Sequence, residues 1–422
     1  MSMDRYEKYK PSGIAWIGEV PEHWELKKIK FCFDVYAGAT PKTENPDNWD
    51  GDIVWITPAD YKTEDKFIKG GQRTITKQGY ESCNTQIVPK GSIVFSKRAP
   101  IGSVAISDVE LCTNQGCLSC VPKGTNSTYY YYVMSVSTEC FDLLGSGATF
   151  KEISADSFSN VKLPFPTILE QNAIVAYLDA RCSDIDKVVA TQEKRIALLK
   201  ELRQSIITQA VTRGLNPNVK MKDSGDEWIG MVPEHWTVGR LKYFLELLNG
   251  RAYLQHELQE EGKYRILRVG NFFTNDQWYY SDMELEPNKY CEKGDLLFAW
   301  SASFGPYIWD AEKVIYHYHI WKVNLLRNYD KHYAYYMLMS LSDYKRKDVH
   351  GSTMTHITLE SMNNAMIPVP SPEEQKAIVK FLDSYCGTID KQIDAVTKQI
   401  GLLKEYKQAL ITETVTGKRK VC

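Results

Sequence analysis

The sequence predicts an α+β protein of two mixed α/β globules and two long coiled-coil helices, arranged as an internal twofold repeat. Three observations predict it: landmarks that recur in the same order in both halves, short strand-like runs punctuated by turn residues, and two apolar stripes at helical spacing. The repeat comes first, because self-similarity fixes architecture before any local reading does. Ser12–Trp24 contains W-I-G-x-V-P-E-H-W and returns as Ser224–Trp236. Lys90-Gly91-Ser92-Ile93-Val94-Phe95 returns as Lys293-Gly294-Asp295-Leu296-Leu297-Phe298. Pro164-Phe165-Pro166 followed by Glu170-Gln171 returns as Pro368-Val369-Pro370 followed by Glu374-Gln375, and Leu198–Glu201 returns as Leu402–Glu405. Between these landmarks, residues 25–89 and 237–292 share little beyond hydrophobic pattern. One framework therefore carries two different surfaces.

The globules read as residues 1–165 and 215–368. Runs such as Ile53–Ile56, Ser92–Phe95, Tyr264–Val269 and Val314–Trp321 have strand character, and Asn249-Gly250 and Lys90-Gly91 supply turns. Segments 128–143 and 331–345 read as helices. The remaining segments, 166–214 and 369–422, each hold one long helix, over about 170–212 and 373–416. Pro166 and Pro370 lie just before the starts, and Ser371-Pro372-Glu373-Glu374 has the form of an N-cap with acids in the first turn. Ile378, Leu382, Tyr385, Ile389, Ile393, Val396, Ile400, Leu403, Tyr406 and Leu410 form a seam, matched by Ile174, Leu178, Ile185, Val189, Ile196, Leu199, Leu202 and Ile206. Arg181 and Gln192 interrupt the first seam, either as solvated edges or as residues that set register.

Composition limits the function classes. The 422 residues are too many for one compact core, and a formal net charge of −2 means that any phosphate-binding surface must be a local concentration of Lys and Arg. No apolar run approaches the roughly 20 residues of a membrane span, and the polar start is unlike a signal peptide, so a cytoplasmic protein is expected. The ten cysteines give no disulfide framework. Cys112, Cys117 and Cys120 include a C-x-x-C, but no second pair or suitably spaced His completes a zinc site, and buried strand thiols are the better reading. No metal and no cofactor is expected in this chain.

With the two-copy plan laid out, the chain resembles the specificity (S) subunit of type I restriction-modification systems over nearly its whole length. The resemblance rests on the three repeated motifs and on Thr212-Arg213-Gly214-Leu215 after the first helix. It implies two target-recognition domains, each reading one half of a bipartite double-stranded DNA site, separated by two antiparallel helices that set an unread spacer. It also implies that the helices dock two modification subunits, which hold S-adenosylmethionine and methylate adenine, and that restriction subunits join the assembly. The sequence has no Asn/Asp-Pro-Pro-aromatic tetrapeptide and no G-x-x-x-x-G-K-[ST] loop, so a non-catalytic subunit is expected, with base flipping and chemistry on a partner.

Base edges are read by Arg, Lys, Asn and Gln, while hydroxyls and basic groups position phosphates. In the first copy the candidates are Thr40 and Lys42 in the Gly38–Lys42 loop, where the resemblance places a G-x-T-P near DNA. Lys97 and Arg98 after a strand, Asn114 and Gln115, and Thr149 and Lys151 complete the set. In the second copy Trp300 and Ser301 stand where Lys97 and Arg98 stood, and His317 and His319 where Asn114 and Gly116 stood. Strand alternation would put both histidines on one face, as a packed pair or as DNA contacts. Thr353, Thr355 and His356 match the first copy's glycine loop, and Arg251, Arg268 and Asn271 are further candidates. Two other readings compete: a single chain that fuses recognition with methylation, and a coiled-coil adaptor whose two globules bind proteins.

Overall fold

The computed structural model describes residues 5–62, 65–98, 100–146, 151–273, 275–301, 304–348 and 357–421. The candidates Thr149, Thr353, Thr355 and His356 lie outside the described residues. Compactness groups the chain differently from connectivity. Residues 1–192 with 398–422 form one unit and residues 193–397 the other, so each unit owns a globule and one portion of each long helix.

In the first unit a five-stranded sheet runs in the order Phe33–Ala37, Cys117–Pro122, Ile93–Ser96, Val104–Ser107 and Phe67–Ile68. A three-stranded sheet adds Cys112–Thr113, Trp49–Ile56 and Arg73–Ile75. Strand Ile93–Ser96 is buried at every position, as its continuous apolar run requires. Helices Ser127–Ser135 and Thr138–Leu144 fill the predicted helical segment. Cys117 and Cys120 lie buried on one strand, and burial pushes the Cys117 thiol up to about 12. These are the strand thiols that the sequence suggested.

In the second unit the two larger sheets have four strands each, beside the two-stranded sheets Met221–Asp223 with Met231–Pro233 and Thr237–Arg240 with Met366–Val369. One is Leu245–Asn249, Ile320–Leu325, Leu296–Ala299 and Gly305–Ile308; the other is Tyr279–Ser281, Tyr264–Leu267, Val314–Tyr316 and Tyr290–Cys291. The expected strand Val314–Trp321 is interrupted. His317 accepts from the Ile320 amide at 2.9 Å, a turn that passes the chain from one sheet to the other. The two histidines therefore sit in a turn rather than on one face of a strand.

The central helix spans Ile168–Arg213 and the distal helix Pro372–Val415. Each begins with a capping box. Thr167 Oγ1 accepts from the Glu170 amide while Glu170 Oε2 accepts from the Thr167 amide, and Ser371 and Glu374 repeat the exchange. Within the first unit the helix portions run antiparallel, with Lys407 paired to Asp186 at 2.7 Å while Arg419, at the distal end, lies by Tyr177 near the central helix's start. Within the second, Arg203 pairs with Asp390, and Ile207, Ala210 and Val211 share a core with Ile378, Leu382 and Cys386. Tyr385 and Tyr406, assigned to the seam from sequence, are 39% and 54% exposed; Cys386 fills the seam position instead, at 2%.

Candidate nucleic-acid interface

The P-E-H-W and E-Q motifs are frame, not site. Glu170 Oε1 accepts from the fully buried Trp24 Nε1 at 3.0 Å and lies 2.8 Å from His23 Nε2, and Glu374 holds Trp236 and His235 at the same distances. Burial raises the Glu170 pKa, but the hydrogen bonds from His23, Trp24 and Thr167 outweigh it and hold the carboxyl at about 2. Gln171 and Gln375 each donate to the proline carbonyl five residues back and accept a backbone amide from the globule, Asn126 N and Asp330 N respectively.

These anchors fix each globule on its helices, and the candidate residues gather around one end of the sheet that carries the K-G-[SD]-[IL]-[VL]-F strand. In the first unit strands Phe33–Ala37 and Ile93–Ser96 end there and Cys117–Pro122, antiparallel to both, begins there. The Ala39 amide donates to Thr113 O, Lys97 N to Gly116 O, Ile153 N to Lys97 O, and Asn114 N to Ile56 O. The second unit repeats this frame bond for bond, with Arg251 N to Tyr316 O, Trp300 N to His319 O, Ile357 N to Trp300 O, and His317 N to Leu267 O. A Cβ on Gly38 would lie 2.2 Å from the carbonyl oxygens of Thr113 and Asn114, and one on Gly250 would lie 2.3 Å and 2.4 Å from those of Tyr316 and His317. Only glycine permits that approach in either copy.

The frame also reaches into the middle where the sequences diverge. Asp60 accepts from the Thr57 amide at 2.7 Å, and Asn271 accepts from the Arg268 amide at 3.0 Å, closing the same turn with unlike residues. Sequence comparison could not find this pair, because neither position shares an identity. The spacing of a carboxylate or amide three residues after a strand end was the available signal.

On this frame the first unit places Thr40, Asn114, Gln115, Lys97 and Arg98 together. Thr40 Oγ1 donates to Gln115 Oε1, and Asn114 Oδ1 accepts from the Gly116 amide, which shapes its own loop. Lys97 Nζ and Arg98 Nε bond separate oxygens of Glu152, each at 2.7 Å. Glu152 was not singled out from sequence, where nothing but its place in the chain marks it. Burial raises its pKa, and the two cationic hydrogen bonds outweigh that and hold it below the ordinary carboxylate range. Lys151 pairs with Asp142, and Lys42 is exposed beyond the cluster, its carbonyl accepting from Asn48 Nδ2.

The second unit gathers Arg251, Arg268, Trp300, Ser301, His317 and His319. Arg251 makes a bidentate pair with Glu257, Nη1 to Oε2 at 3.0 Å and Nη2 to Oε1 at 2.7 Å. The imidazoles of His317 and His319 are 4.8 Å apart, and the Trp300 ring lies 4.9 Å from His319. Burial, then His319 and Arg268, lower the His317 pKa to about 4, so the ring is neutral at physiological pH and offers hydrogen bonds rather than charge. Asn271 is consumed by its turn, donating to Asn275 O and Gln277 O. Arg268 is exposed, with its guanidinium 5.4 Å from the Tyr279 ring.

The family model for the type I restriction modification DNA specificity domain matches residues 21–201 and again residues 233–399. The chain is 30% identical over 424 residues to the type I restriction enzyme MjaIX specificity subunit of Methanocaldococcus jannaschii, covering 96% of this chain and 95% of that one. It is 21% identical over 313 residues to the Escherichia coli EcoKI specificity subunit, covering 67% of this chain and 62% of that one. A structure solved in work on complex assembly and conformational transition of the type I R-M system shares the fold with a TM-score of 0.71 at 15% identity, covering 94% of this chain and 98% of that one. The HsdS subunit of Thermoanaerobacter tengcongensis matches over the same shares with a TM-score of 0.50 at 16% identity. Two copies of one matched domain, each with a globule and the helix that follows it, show that the chain belongs to the type I restriction-modification DNA specificity family.

Proposed function

We propose that each unit reads one half of a bipartite double-stranded DNA target, so that the chain confers sequence specificity on a type I restriction-modification complex without catalysing methylation itself. One observation carries this reading. The same backbone frame presents Thr40, Arg98, Asn114 and Gln115 in one unit and Arg251, Trp300, His317 and His319 in the other. A duplicated adaptor would keep its binding surface; a pair of readers of unlike half-sites would keep the frame and change the side chains. In this reading two modification subunits dock on the helices, hold S-adenosylmethionine and flip the adenine, restriction subunits join them, and the assembly works in the cytoplasm. No helix among the described residues is long and apolar enough to cross a membrane.

The test is a domain exchange. Replacing residues 237–360 by those of a relative should alter one half-site in the methylome of cells that carry the complex and leave the other half intact. Bases altered in both halves would refute the division of labour. The chain alone should transfer no methyl group from S-adenosylmethionine, and activity should appear only with a modification subunit.

A further inference from the structure

Lys97 and Arg98 are neighbours in sequence but not in role. Lys97 is 12% exposed, with its ammonium spent on Glu152 Oε1. Arg98 is 42% exposed and gives only its Nε to Glu152 Oε2, and among the described residues its two Nη groups make no hydrogen bond. A carboxylate on Nε fixes the plane of a guanidinium and leaves the Nη edge pointing away from it. That edge matches the paired acceptors O6 and N7 that guanine alone presents in the major groove. The backbone is fixed as well: the Arg98 carbonyl accepts from Ser96 Oγ at 2.9 Å, Arg98 pairs in a β-bridge with Glu152, and Ile153 N holds Lys97 O. Lys97 neutralises the second oxygen of Glu152, so the carboxylate adds no unbalanced negative charge beside DNA phosphates.

Resting on the specificity-subunit reading above, we propose that Arg98 reads a guanine in the half-site of the first unit. Glu152 is then the positioning residue that aims it, and Lys97 is the internal counter-charge rather than a DNA contact. The second unit has Trp300 and Ser301 at these places, so this Lys97–Glu152–Arg98 arrangement, and the guanine it reads, belong to the first half-site.

The experiment uses the chain assembled with its modification subunits, on duplexes carrying the target read from the methylome. 7-Deazaguanine, which lacks the N7 acceptor, replaces each guanine in turn. We expect one guanine, in one half-site, at which the replacement weakens wild-type binding on the order of ten-fold or more. Arg98→Lys keeps the charge and loses the fork. It should bind the natural duplex about as weakly as wild type binds the substituted one, and be indifferent to that replacement. Glu152→Gln should lose discrimination at the same base pair only. Lys97→Gln should leave the letters of the target unchanged. An Arg98→Lys complex as sensitive as wild type at every guanine would overturn the proposal, as would altered discrimination at an A·T pair. Glu152→Gln that lowers the melting temperature with discrimination intact would overturn its positioning role. A wild-type complex with no preferred target would instead sink the specificity reading itself, a different result from any of these.

Discussion

At the scale of residues, the candidate interface is a set of side chains whose charge and hydrogen bonding are set by neighbours, and His317 shows this most directly. In the unfolded chain its imidazole titrates at about 6.5; in the folded unit burial, His319 and Arg268 lower it to about 4. Between those values the unfolded state binds a proton that the folded state refuses, so stability is present above about pH 6.5 and is lost as pH falls toward 4. His317→Asn should flatten that part of the stability profile, which thermal melts of wild type and variant from pH 4 to 7 will show; parallel profiles would contradict the shift. Such environments were only partly legible in the sequence. Arg98 and His317 could be singled out by residue type, but the role of Glu152 depends on a bridge across 54 residues that no local pattern encodes. The paired turns at Thr57 and Arg268 escaped for a related reason: what the two copies share there is a backbone amide with an acceptor, and that demand can be met by either Asp or Asn.

At the scale of elements, the helix starts tie the repeat together. One carboxylate, Glu170, closes a capping box and also accepts from the buried Trp24 indole, so its loss leaves an orphan donor in the core as well as a frayed helix end. Glu170→Ala should therefore cost about 2–3 kcal/mol, more than a cap alone, read as a lowered denaturant midpoint, with Glu170→Gln costing less. A loss within the roughly 0.5 kcal/mol of an ordinary surface change would show that the indole and the cap are satisfied some other way. The presence and extent of both helices were plain from apolar spacing and proline placement, because those depend on local rules. The seam residue was not. Hydrophobicity favours Tyr385, yet the seam steps by four from Leu382 to Cys386, whose thiol is buried at 2% exposure, and Cys182 takes the matching place in the central helix at 5% exposure. Arg181 consequently faces solvent, while Gln192 is half-buried, with its Oε1 enclosed and lacking a partner among the described residues.

At the scale of the whole molecule, the repeat was visible because it is a property of order along the chain, whereas the compact units were not, because each takes helix from both repeats. In the reading proposed above, the shared helices would act as a ruler. A helix of 46 residues and one of 44 extend roughly 65–70 Å at 1.5 Å per residue, and a rigid pair of that length would fix the number of unread base pairs between half-sites. The Asp186–Lys407 pair gives the local register, so four residues inserted after Val189 and four after Leu403 lengthen both partners at opposed positions. The addition is about one turn, or some 6 Å, against about 3.4 Å per base pair of DNA. Methylome sequencing of cells carrying this variant with its partner subunits should show a spacer longer by one or two pairs and unchanged letters in both halves, since no reading side chain has moved on its frame. Two residues inserted at the same places should instead rotate the seam off its partner and destabilise the chain. An active four-residue variant that keeps the original spacer would mean that contacts other than helix length set the distance.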